Sequence, residues 1–174
     1  MTPERLSPDP SSRSARASAV PDAPADAAAY SPGLRWYGVL LLALLAVPRV
    51  ITHDLALVPP GSPLNALLAV LPPVLWVFVV LLRRAPRPLL SLLAVGAVYG
   101  FLLALGHQLL WEQAFDGGTP QLGGRLQDLP PAANALLTRG AAVISSLFTG
   151  VALGLVTGAV AAGLQNLGRV MRRE

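Results

Sequence analysis

The sequence predicts an all-α membrane protein, a four-helix transmembrane bundle preceded by a disordered N-terminal tail. Four long apolar segments lie near Leu34–Ile51, Leu64–Leu82, Leu89–Trp111 and Gly140–Gly163. The last two exceed the roughly 18 apolar residues that mark a spanning helix, and the first two sit at that threshold. Hydrophobic residues make up 53% of the 174-residue chain and charged residues only 13%, with almost no charge inside the four segments. A soluble fold of this size spreads its charge along amphipathic elements, so lipid is the expected solvent.

Residues 1–33 are rich in Ala, Ser and Pro and carry scattered charges of both signs. They cannot bury enough apolar surface to offset their ordering entropy, which predicts a disordered cytoplasmic tail. The tail is too long and too mixed in charge for a signal-peptide n-region, and no convincing A-x-A-like site follows the first apolar run, so that run is expected to be retained. The transmembrane domain is expected over 34–168, with spans at about 34–54, 64–82, 89–111 and 138–163. A basic cytoplasmic tail is expected over 169–174.

Charge placement predicts the orientation. Arg35 precedes span one; Arg83, Arg84 and Arg87 fill the connector between spans two and three; Arg169, Arg172 and Arg173 follow span four. Asp54 lies on the connector after span one, and Glu112, Asp116, Arg125 and Asp128 on the longer one after span three. The positive-inside bias then puts both termini in the cytoplasm, as four spans require. All thirteen basic residues are arginine, a bias matching a GC-rich bacterial genome, and the expected location is the bacterial cytoplasmic membrane. Trp36 and Tyr37 at the inner boundary and Trp111 at the outer one read as interfacial anchors, whereas Trp76 and Tyr99 lie deeper and read as packing residues.

Pro72 and Pro73 fall in the middle of span two. Each removes an amide donor and crowds the carbonyl four residues back, so a kink or local unwinding is expected there. Spans three and four carry small residues at four-residue spacing: Gly96, Gly100 and Ala104 on one, and Ala142, Ser146, Gly150, Gly154, Gly158 and Ala162 on the other. That spacing forms a stripe without side-chain bulk, along which another backbone can approach closely. With the two spans antiparallel, Gly100 is expected opposite Gly150, Gly96 opposite Gly154, and Ala104 opposite Ser146.

One polar constellation is expected near the outer face: Arg49, His53 and Asp54 from span one, His107, Gln108 and Glu112 from span three, and Arg139 from span four, which begins near Asn134. Ionisable groups at membrane depth usually pair, snorkel or serve a function. Arg49 and Arg139 can pair with Asp54 and Glu112 or grip an anionic headgroup, and the residues leave both open. The histidines are candidate acids, bases or ligands. The structural alternative is that the arginines snorkel and the histidines only hydrogen-bond at helix ends.

Other chemistry is excluded or unsupported. There is no cysteine, so disulfides and thiolate sites are ruled out. No metal site or cofactor is expected from two histidines without a flanking signature. The glycine-rich stretch at 116–124, DGGTPQLGG, lacks the G-K-[ST] ending of a phosphate-binding loop. The basic residues flank the spans, which points to topology rather than nucleic-acid binding. The chain also lacks the first-span glutamate of small multidrug exporters and the cysteines of thiol-oxidising quinone reductases. The expected partners are the lipid bilayer and either another protein or a second copy of the chain. The leading expectation is a non-enzymatic structural, accessory or interaction component. A small permease using the Pro72–Pro73 break is the alternative, followed by an outer-leaflet enzyme or sensor using His53, His107 and Glu112.

Overall fold

The computed structural model describes residues 33–115 and 117–172. The expected disordered tail and the last two residues of the expected basic tail lie outside the described residues. Helices occur at Trp36–Leu44 (α1), Val47–Asp54 (α2), Pro63–Leu82 (α3), Pro88–Leu109 (α4), Trp111–Ala114 (α5) and Pro131–Val170 (α6). A 3-10 turn at Gly124–Leu126 interrupts the connector before α6. Among the described residues there is no strand, and four helical stretches are long and apolar enough to cross a membrane: α1 with α2, then α3, α4 and α6.

Proline marks where most of these helices begin. Pro63, Pro88 and Pro131 each occupy the first turn, where the missing N–H would have had no partner and the fixed φ suits a helix. Ser62 caps α3 by accepting from the Asn65 amide at 3.2 Å. Pro48 likewise sits in the first turn of α2, and this is where the first span breaks. A kink or local unwinding was expected at Pro72 and Pro73; α3 runs through both as one continuous helix, so the backbone does not unwind there. Unwinding there would strand further amides and carbonyls in hydrocarbon, which costs more than the donors those two prolines lack. Near Pro48 a tertiary partner covers the cost. The amide of Ala46 turns to the Ala43 carbonyl, and the indole Nε1 of Trp76 donates to the freed Leu42 carbonyl at 2.7 Å.

α4 is the central helix, packed along α6 and touching α1, α2 and α3. Trp76, Val80, Leu92 and Val95 are fully buried between these elements, and Tyr99 meets Trp76 edge-on with ring centroids 5.7 Å apart. The surface carries the opposite composition. Ile144 and Phe148 on α6 are 70% and 74% exposed, and Leu67, Val70, Phe78 and Phe101 are also exposed. Exposed apolar area on this scale suits lipid and not water.

The α4–α6 seam is backbone against backbone. A Cβ added at Gly96 would lie 2.7 Å from the Gly154 Cα, and one at Gly154 would lie 2.6 Å from the Leu92 carbonyl oxygen. One at Gly150 would lie 2.5 Å from the Gly100 amide nitrogen, and one at Gly158 would lie 3.0 Å from the Leu89 Cα. Ala104 and Ser146 are buried in the same stripe, while Ala142 and Ala162 are only half-buried. The reason is helical periodicity: a strict four-residue repeat rotates away from a fixed seam because a turn takes 3.6 residues. Thr157 and Ala161 therefore take over where Ala162 has drifted outward. α6 is 40 residues long, about 60 Å, so it extends past a hydrocarbon core of about 30 Å.

Candidate functional site

The ends of α2 and α4 meet at the pole opposite the Arg83–Arg87 connector. α2 stops at Asp54 with Leu55 as its cap and Ala56 in the left-handed region (φ 50°). The Ala56 amide bonds the His53 carbonyl at 3.1 Å and the Leu57 amide bonds the Thr52 carbonyl at 2.9 Å. That paired closure fixes the last turn and with it the Asp54 side chain.

Asp54 is buried, its side chain 3% exposed, and both carboxylate oxygens are used. His107 Nδ1 lies 2.6 Å from Oδ2 and His53 Nδ1 lies 3.2 Å from Oδ1. A carboxylate only accepts, so the proton in each bond is assigned to Nδ1, which leaves Nε2 of both rings available to another molecule. His107 is partly exposed and His53 largely so. An imidazole oriented this way through Nδ1 can accept a hydrogen bond or a proton at Nε2.

Two cavities adjoin this trio. The larger, about 610 Å³, is lined by His53, Asp54, His107, Trp111, Leu122 and Thr138 among others. The smaller, about 200 Å³, is lined by Arg49, His53, His107, Tyr99, Leu103 and Thr149, and it reaches the middle of α4 at Tyr99. The loop wall of the larger cavity is held by Asn134, which is buried. The Leu122 amide donates to Asn134 Oδ1, and Asn134 Nδ2 donates to the Pro120 carbonyl, both at 3.0 Å. Trp111 is also buried, and its indole Nε1 has no hydrogen-bond partner among the described residues.

The structure sorts the seven expected polar residues into three groups. His53, Asp54 and His107 come together, and Arg49 joins the two histidines at the smaller cavity. Arg49 does not pair with Asp54: its Nη1 donates to Asn65 Oδ1 at 2.7 Å, because the histidines already occupy the carboxylate. Arg139 does not pair with Glu112. It reaches Gln108 Oε1 at 3.4 Å and lies 4.8 Å above the Trp111 ring centre, a cation–π distance. Glu112 lies past the end of α4, is exposed, and makes no ion pair among the described residues. Trp111 was expected as an interfacial anchor but is instead a buried wall residue of the larger cavity.

Asn65, Tyr99, Asn134 and Thr149 belong to this region although the sequence did not single them out as site residues. Only Asn134 carried a readable signal, a polar residue between loop and span. Among the described residues no group of three His, Cys, Asp or Glu side chains is placed to hold a metal. Compared with protein-family models, curated proteins and solved structures, the chain matches none.

Proposed function

We propose that this membrane protein is a binding or sensing component whose working part is the cavity at the histidine end. The arginine-rich pole faces the cytoplasm, and the histidine pole opens to the outer leaflet. The ligand is an amphipathic molecule with an apolar body and a head that donates a hydrogen bond or a proton to an imidazole Nε2. The observation that carries this reading is the shared use of Asp54 by His53 and His107 at the wall of a 610 Å³ cavity. Pockets of about 300–1,000 Å³ with apolar walls and a few converging polar groups are the usual form of small-molecule sites.

Several features support it. A carboxylate at a helix C-terminus faces the negative end of the helix dipole, so its placement at Asp54 runs against local electrostatics. Buried polar groups in that position require partners, and both partners here are histidines that face cavities. A conducting role has less support: Trp76, Leu92 and Val95 fill the centre, and the glycine seam closes α4 against α6.

The test is a tryptophan-quenching titration of the protein in lipid nanodiscs, using decylubiquinol as the hydrogen-bond-donating probe and lauric acid as the proton-donating one. Saturable quenching by one of them, weakened about tenfold or more in His107→Ala, is the expected result. Linear quenching by both, identical in the variant, would overturn the reading.

A further inference from the structure

Three arginines gather around a second cavity at the opposite pole. Arg84 comes from the end of α3, and Arg169 and Arg172 from the end of α6. With Leu81, Leu164 and Gln165 they line about 500 Å³ of open space. We propose that this cavity is a specific site for a phosphate group, filled by the headgroup of an anionic phospholipid in the adjoining leaflet.

Arg84 is the most informative of the three. It occupies the left-handed region at φ 49°, at the position after a helix where glycine is the usual residue. Its amide bonds the Leu81 carbonyl at 3.0 Å, and the Ala85 amide bonds the Val80 carbonyl at 3.1 Å, so the turn itself is a regular helix closure. Glycine would make that closure without steric cost; arginine makes it against one. The closure also turns the chain back onto α6, where Gln165 Nε2 donates to the Ala85 carbonyl at 3.3 Å. Arg84 is thereby held beside the last turns of α6.

Among the described residues nothing neutralises the charge at this cavity. Arg169 bonds only the neutral Asn166 Oδ1, at 3.3 Å, and among the described residues no carboxylate pairs with any of the three. Guanidinium groups match phosphate oxygens in a two-pronged geometry, and several around one opening can share the three or four oxygens of one group. Leu81 and the half-exposed Leu164 on the same wall suit the glycerol and upper acyl carbons behind a headgroup. Basic pockets between helix ends at the membrane surface are where such lipids bind.

A general attraction between interfacial arginines and an anionic surface is the competing account. It depends on how many charges there are and not on where they sit. Arg35 and Arg83, which line a separate cavity against α1, provide the matched control. Gly168 provides a second handle, because a Cβ added there meets nothing within 4 Å, so a larger side chain fills space without moving the fold or removing charge.

The experiment is native mass spectrometry of the full chain released from nanodiscs of phosphatidylcholine with a minority of phosphatidylglycerol. A parallel titration with inorganic phosphate in detergent distinguishes the two sources of the same chemistry. Retention of one phosphatidylglycerol is expected, falling at least fivefold in Arg84→Gln/Arg169→Gln and in Gly168→Leu but not in Arg35→Gln/Arg83→Gln. Saturable phosphate binding without lipid preference, with the same pattern across the variants, would assign the site to soluble phosphate. Equal losses in both double variants, or no loss in Gly168→Leu, would overturn the proposal.

Discussion

Asp54 closes α2, where free backbone carbonyls already concentrate negative potential, and a buried carboxylate is tolerated there because His53 and His107 take one oxygen each. Trp76 plays the corresponding part for the backbone, donating to the Leu42 carbonyl released by the break in span one. Trp76→Phe keeps most of the packing but orphans that carbonyl. A loss of about 1–3 kcal/mol is expected, read as the shift in unfolding by sodium dodecyl sulfate in mixed micelles. Asn134 holds the cavity's loop wall through two bonds. Asn134→Ala should abolish protection of the Leu122 amide in hydrogen exchange while the α4–α6 amides keep theirs. Of these residues the sequence exposed Asp54, His53 and His107 as members of one polar cluster and Trp76 as a packing residue. It could not reveal that Asp54 would engage His107 and leave Arg49 to Asn65, because that choice depends on how α2 is rotated against α4.

At the level of elements, the glycine seam and the two proline positions behave differently from each other. Small residues at four-residue spacing on two antiparallel spans were readable because the rule concerns one helix face at a time, and depth alone fixes the register. Gly150→Leu should destabilise the bundle by about 1–3 kcal/mol through overpacking, against the same unfolding readout. Gly163→Ala, where an added Cβ meets nothing within 4 Å, should be neutral or stabilising by up to about 1 kcal/mol. The prolines were not readable in the same way. Pro72 and Pro73 look like a break and Pro48 does not, yet the helix unwinds only where a side chain from another span accepts the consequence. Pro73→Ala should therefore leave probe binding at the histidine end unchanged.

For the whole molecule, the unequal poles are the main consequence of the sequence: arginines at one end, a buried carboxylate with two histidines at the other, and a dry core between. The class and number of spans follow from apolar length, which is why they were legible. The cavities were not, because they form where three or more elements fail to fill space. Since the chain has no cysteine, single cysteines at Gln121 and at Arg172 would report topology directly. Labelling of Gln121→Cys but not Arg172→Cys by an impermeant maleimide on intact cells is the expected result. The most direct test of the central claim uses the fact that the chain has only two histidines. In protein labelled with ¹⁵N-histidine, both rings should show a hydrogen-bonded Nδ1 proton, both should lose it together in Asp54→Ala, which removes both acceptor oxygens, and both should shift when the cavity probe is added. Two histidines that respond independently to the substitution, or a probe that binds without shifting either ring, would contradict the account.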